Sequence, residues 1–408
     1  MVEAEDHYRR ALELLSELPQ ASEGDRLELA LQMALGDVLW TSKSWSHPDA
    51  NRAYTRALEL AEKLEEATQT AMVLRALLLS ALGRAQFTLA RDLAERMLVA
   101  AERSRDRASL YAAHALLGDA LVMHGQYLEA QSHLELARRY HEESNSGELA
   151  WIEVDAEASA AVVALLLGFP ERARQQMREV LHRGDAHQDS YAVGLAHFWG
   201  GIFCGLIRDT QGALEHAEAL RRLAARHPVW ASFADLFTGE ALTAQGNSSE
   251  GVDYLRKAFA TCKEMGHTKF LTLAKLGETE FLAGQGRIDE AVALVSDALS
   301  DAEGYTRLKS PALRLRADLL AQSRADASEV DVAYRAAIDC ARGQGAKFHE
   351  LQASTSYARW LNSLGRSVEA QTLLAEIYGW FTEGFDTPAL SEAKALLDEL
   401  NTKPNALR

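Results

Sequence analysis

Cysteine and proline are scarce in this chain, with 3 and 7 copies in 408 residues. Cys204, Cys262 and Cys340 lie far apart and form no C-x-x-C pair. That excludes a disulfide framework and a thiolate metal site, and leaves the three as small core residues of a reducing compartment. Aromatic residues reach only 7%. Runs of β-branched residues are equally rare beside the abundant alanine and leucine, a balance that favours helix over strand. Positive charge is in deficit: 43 Lys and Arg against 59 Asp and Glu leave a net charge of −16. A partner held through phosphates wants a basic face, so nucleic acid is disfavoured. The same acidity also serves to keep a long exposed molecule in solution.

Long apolar runs are missing too. The segment Ala160 to Leu167 is far shorter than the roughly 20 residues of a membrane span. The start, Met1-Val2-Glu3-Ala4-Glu5-Asp6, is acidic and amphipathic, unlike a signal peptide. Without such a signal, the glycosylation sequon Asn247-Ser248-Ser249 reads as chance. A cytoplasmic protein with no membrane partner is expected. No phosphate-cradling G-x-x-x-x-G-K-[ST], G-x-G-x-x-G, H-E-x-x-H or G-x-S-x-G occurs. His182, His187, Asp185 and Asp189 form the one dense His/Asp cluster. Two imidazoles and a carboxylate could converge on a metal there. A solvated polar loop accounts for them as well, and no metal site or cofactor is assigned. No enzyme is expected.

What the chain does have is a period. A small residue recurs at Ala50, Ala90, Ala130, Ala173, Ala213, Gly251, Ala291, Val330 and Ala370, at spacings of 38 to 43. Four positions later a larger residue tends to follow (Tyr54, Leu134, Met177, Leu255, Tyr334, Leu374), and seven later another small one (Ala57, Ala137, Ala258, Ala298, Ala337). Self-similarity at one period means stacked units rather than one globular core. In the third unit, Leu117-Gly118 precedes Gly125-Gln126-Tyr127 and then Ala130, Leu134 and Ala137. That describes two helices joined by a tight turn. Gly118 allows close approach, Gly125 ends the first helix in a left-handed conformation, and Ala130 and Ala137 admit the partner helix. Similar turns are expected at Gly168, Gly246, Gly286 and Gly365. Pro48, Pro170, Pro228, Pro311 and Pro388 each fall at a predicted helix start, where proline is tolerated.

This pattern resembles the tetratricopeptide repeat family, with a unit longer than its usual 34 residues. The expected fold is all-α, a right-handed superhelical solenoid of about nine and a half two-helix repeats of about 40 residues, with about 20 helices and no sheet. One continuous solenoid over 1–408 is expected, divided as a half repeat at 1–20, repeats at 21–378, and an aromatic cap and terminal helix at 379–402. Ala4, Tyr8, Ala11 and Leu12 match the second helix of a unit, so the chain opens halfway through one. Either a fragment of a larger protein or a first helix that packs on something else is expected from that phase, the fragment being favoured.

The ending Ile377-Tyr378-Gly379-Trp380-Phe381-Thr382-Glu383-Gly384-Phe385-Asp386-Thr387 before Pro388 resembles the C-terminus of large bacterial regulatory ATPases. These carry an adenylate-cyclase or protein-kinase domain, a signalling NTPase and then a long repeat region like that of maltose-regulon-type activators. The segment Gly36 to Leu60, with Trp40, His47-Pro48 and Ala53-Tyr54, is similar to that repeat region. The resemblance implies a sensor or partner-binding module and carries over no catalytic residue. In the cap, Trp380, Phe381 and Phe385 are expected to fold over the last repeat, with Thr387 capping the final helix from Ala389 to Leu400.

The first helix of each unit is expected to line the concave face. The position after Gly118 and its equivalents holds Asp119, Ile202, Glu240, Glu280 and Arg359, and Asp155 and Phe233 should face inward too. Leu195, Phe198, Trp199 and Ile202 share one helix face, and Phe233 and Phe237 occupy similar places in the next unit. Together these read as an apolar groove wall with an acidic rim, suited to a basic or apolar protein or peptide partner, to upstream domains of a parent chain, or to a second copy. Aromatic stripes also build cores, and acids also make solvated faces. The Arg138-Arg139, Arg221-Arg222 and Arg314, Arg316 clusters read as solvated faces. Two functions follow: a binding scaffold with an open groove, or a small-molecule sensor with a closed aromatic pocket near Trp199.

Overall fold

A computed structural model describes residues 2–17, 22–42, 47–144, 150–186, 189–264, 271–301, 306–323 and 325–402. They form twenty α-helices and one 3-10 turn, with no strand among the described residues. In chain order these are α1 (Val2–Ser16), α2 (Ser22–Ser42), α3 (Pro48–Lys63), α4 (Ala67–Gly83), α5 (Phe87–Ser104), α6 (Arg107–Met123), α7 (Tyr127–Ser144), α8 (Ala150–Leu166), α9 (Pro170–Ala186) and α10 (Ser190–Ile207). They continue as α11 (Thr210–Leu223), α12 (Val229–Ala244), α13 (Ser248–Glu264), α14 (Leu271–Gly284), α15 (Ile288–Asp301), the 3-10 turn Thr306–Leu308, α16 (Lys309–Gln322), α17 (Ala327–Gly343), α18 (Lys347–Ser363), α19 (Ser367–Tyr378) and α20 (Pro388–Thr402).

Each even-numbered helix from α2 to α18 packs tightly against the odd-numbered helix after it. Every periodic small residue lies on the second helix of such a pair and is buried, with Ala90, Ala130, Ala173, Ala291 and Ala370 wholly inaccessible. The chain is thus an all-α helical-repeat solenoid. A small side chain is demanded because two backbones cross there. At Gly118 an added Cβ would stand 2.7 Å from the Leu134 side chain. Gly125 closes α6 at φ 66°, and the amide of Gln126 then returns to the carbonyl of Leu121. Gly168, Gly246, Gly286 and Gly365 also take positive φ. Of the prolines, Pro48, Pro170 and Pro388 open helices, Pro228 precedes α12, and Pro311 lies in the first turn of α16. Pro19 and Pro404 fall outside the described residues.

First helices are covered on several sides, by their own partner and by the neighbouring first helices. This explains why α6 is apolar nearly all round. It also corrects the reading of apolar length. The 18-residue α10 has the length and mean hydropathy, 1.4, of a membrane span. Four glycines, Gly194, Gly200, Gly201 and Gly205, interrupt its surface. The side chains of Trp230, His216 and Phe237 lie where Cβ atoms would otherwise be at the first three. Alpha10 is therefore a helix shaped to be packed by other helices.

The solenoid also closes on itself. The loop after α19 crosses to the turn between α8 and α9. Trp380 meets Phe169 edge-on, with ring centroids 5.6 Å apart, and covers Gly168. Glu383 Oε1 accepts hydrogen bonds from the amides of Glu171 and Arg172 at 3.0 and 3.1 Å, completing the N-terminus of α9 from a distant part of the chain. Arg208 pairs with Glu392 of α20 at 2.8 Å. A second crossing joins the 3-10 turn to the α6–α7 turn, where the Thr306 hydroxyl donates to the carbonyl of His124. One expectation for the cap is corrected here. Phe381 is buried, but Trp380 leaves the last repeat for Phe169. Thr387 immediately precedes α20: its hydroxyl donates to the carbonyl of Gly384 at 2.8 Å, and its own carbonyl accepts from the amide of Ser391.

Candidate functional site

Closure turns the concave face into a lumen. First helices from α4 to α18 surround a cavity of about 390 Å³. Asp119 and Asp155 come from α6 and α8, Leu195, Phe198, Trp199 and Ile202 from α10, Glu240 from α12 and Glu280 from α14, and all eight line this one space. The Trp199 indole N–H donates to Asp155 Oδ1 at 2.8 Å, which fixes the ring against the wall. Ser159 donates to Asp119 Oδ1 at 3.2 Å.

Phe233 and Phe237 are not in the lining. Phe233 stacks behind Phe198, with centroids 4.7 Å apart, and Phe237 is fully buried over Gly201. A first helix presents apolar residues to its neighbours as well as to the lumen, and the glycine on α10 draws Phe237 into the interhelical seam. Arg359 is also elsewhere. It is exposed and pairs with Glu392 of α20 at 3.2 Å, because α20 covers the last repeat at this position. Of the His/Asp cluster, His187 lies outside the described residues. His197 Nε2 stands 3.4 Å from Asp185. Among the described residues no group of three or more His, Cys, Asp or Glu is placed to hold a metal ion.

The acidic side of the lumen is electrostatically unusual. Burial, together with the Glu280 carboxyl, pushes Glu240 up to about 8. Glu280 is exposed where it borders the lumen. Burial raises its carboxyl and Asp318 adds to this, while Arg314 opposes it. A carboxyl protonated near neutral pH both donates and accepts hydrogen bonds. Cys204 also borders the lumen. Burial pushes its thiol up to about 12, so it is held protonated and is a poor nucleophile.

The opposite side carries residues that sequence reasoning missed. Arg307 of the 3-10 turn, Arg314 of α16 and His349 and Gln352 of α18 line the same cavity, as do Trp151 and Tyr191. The Arg307 guanidinium lies 5.9 Å from the Trp199 ring. Arg314 donates to Asp318 at 2.8 Å. Burial, with the charges of Arg307 and Arg314, lowers His349 to about 3, so its ring is neutral. No local motif announces these residues. Arg307, Arg314, His349 and Gln352 reach Trp199 only because the superhelix returns on itself, whereas Trp151 and Tyr191 lie on α8 and on α10 itself.

With this geometry in hand, the chain can be compared with known proteins. No protein-family model and no curated protein matches it. Solved structures of helical-repeat proteins do. A Rap protein complexed with Competence and Sporulation Factor superposes with a TM-score of 0.60 at 14% identity, covering 91% of this chain and 99% of that one. The apo form of RapI gives 0.52 at 18% identity over 65% of this chain and 92% of that one. A signal transduction ATPase with a tetratricopeptide repeat sensor, from Pyrococcus horikoshii, gives 0.46 at 15% identity over 91% of this chain and 54% of that one. At these identities the likeness shows the fold, a tetratricopeptide-like helical repeat. It adds nothing to the expected link with cyclase-bearing or maltose-regulon-type regulators.

Proposed function

We propose that this chain is a non-catalytic regulatory module of a signalling protein that holds a short peptide or a metabolite of similar size in the lumen of its first helices. The observation that carries the reading is the closure of the superhelix around a cavity of about 390 Å³ walled by Trp199, Phe198, Leu195 and Ile202. Enclosed apolar space with a few convergent polar groups is the usual character of a small-ligand site. A longer segment lying along the groove, as an open scaffold would take it, must first displace the contact between Trp380 and Phe169. The Rap complex with Competence and Sporulation Factor lends support, since it shares this fold. Residues 1–408 act as one unit in this reading, with 379–402 holding the lumen shut and the outer helix faces left for a protein partner.

A thermal-shift screen of short peptides and metabolites tests it. At about 100-fold over Kd a ligand adds about 2.7 kcal/mol of stability. Hits should lose their effect on Ile202→Trp, which fills the lumen, and weaken on Trp199→Ala and Glu240→Lys. Hits that stabilise a folded Ile202→Trp as much as the wild type place binding elsewhere.

A further inference from the structure

We infer that the lumen is built for a ligand bearing an acid group, a carboxylate or a phosphate, which seats on the Arg307 guanidinium between Trp199 and His349. The inference rests on the lumen reading and names the chemistry of one end of its ligand.

Arg307 is 7% exposed. Its guanidinium lies by the face of Trp199, and among the described residues no carboxylate comes within ion-pair distance of it. Buried arginines are ordinarily paired, because an isolated charge out of water is costly. His349 is 4% exposed, and its Nδ1 has no hydrogen-bond partner. Both residues border the same cavity, so a buried cation without a counter-ion and a ring with an unsatisfied nitrogen line one space. Arg314 adds positive charge nearby, although it is bonded to Asp318. An acid group supplies what the first two lack: counter-charge for Arg307 and a hydrogen-bond partner for the His349 imidazole. A guanidinium offers carboxylate and phosphate a two-pronged set of donors.

The remaining lining agrees. The lumen carboxylates Asp119 and Asp155 accept hydrogen bonds from Ser159 and Trp199. Leu195, Phe198 and Ile202 supply apolar lining, and Glu240 and Glu280 supply further hydrogen-bonding groups. The site is polarised, with its cationic end at the 3-10 turn.

Titration of the full chain with 3-phenylpropionate, 3-phenylpropanamide and phenyl phosphate tests the inference, because the first two differ only in charge and donor pattern at one end. The expected result is at least tenfold tighter binding of 3-phenylpropionate than of its amide. Arg307→Met abolishes that preference and leaves the weak amide binding as it was. Should Arg307→Met fail to fold, Arg307→Lys retains the charge but not the fork and should lose much of the preference. Phenyl phosphate binding more tightly than 3-phenylpropionate points to a phosphate as the natural acid, and the reverse to a carboxylate. Equal affinity for acid and amide overturns the inference while leaving the lumen reading intact. Binding of neither compound overturns the inference, and unchanged binding of both to Ile202→Trp overturns the lumen reading.

Discussion

Arg174 Nη1 donates to both carboxylate oxygens of Asp386, at 2.9 and 2.7 Å, across 212 positions of the chain. This pair sits at the rim of the contact that closes the superhelix. Asp386 is 71% exposed, so the pair contributes at most about 1 kcal/mol. Its effect should be visible as a pH dependence. Arg174 holds the Asp386 carboxyl below its ordinary 3.8. The stabilisation is therefore present above that value and is lost as pH falls through the lower folded value. Wild type and Asp386→Asn should differ slightly in melting temperature at neutral pH and converge well below pH 3.8.

The ring contact should matter more than the ion pair. Gly168 has φ 97° and lies under Trp380, so Gly168→Ala strains the backbone and displaces the ring. The backbone alone costs about 1–2 kcal/mol. Trp380→Ala should release the 379–387 segment with little loss of helix. Limited proteolysis would show faster cutting there in both variants, and unchanged cutting would mean that the closure does not depend on this ring.

Glu240 gives a dependence of opposite sign at higher pH. Its folded value of about 8 lies above the ordinary 4.5. The protonated form is the one the fold accommodates, so stability falls as pH rises from 4.5 through 8. Glu240→Gln keeps the shape without the charge. It should flatten the melting-temperature profile over that window and exceed the wild type at its alkaline end.

Core and lining should separate by mutation. Phe237 is fully buried between α10 and α12, and Phe237→Ala should cost about 3–5 kcal/mol in urea unfolding. Leu195 already faces empty space. Leu195→Ala should fall at or below about 2.7 kcal/mol, the low end of such truncations.

The repeat was legible because helix crossing leaves only small residues at Ala90, Ala130 or Ala291, and because Gly125 and Gly168 must end helices with positive φ. Asp119, Ile202, Glu240 and Glu280 share one place in the unit and line the cavity, while Arg359 at that place does not; Leu195, Phe198 and Trp199 follow from the spacing of one helix face. Phe237 was not legible, because a first helix is apolar on two faces and spacing alone does not choose between them. Arg307, His349 and the seat of Trp380 were hidden for a different reason. They depend on superhelical pitch, the sum of many small rotations between units, which no single unit records.

Hydrogen–deuterium exchange of the full chain, with and without saturating 3-phenylpropionate, tests the central claim most directly. The account predicts protection on α10, on α14 and around Arg307 and His349, which are far apart in sequence and meet only in the lumen. Protection confined to the second helices α9, α11 and α13, or none at all, would contradict it.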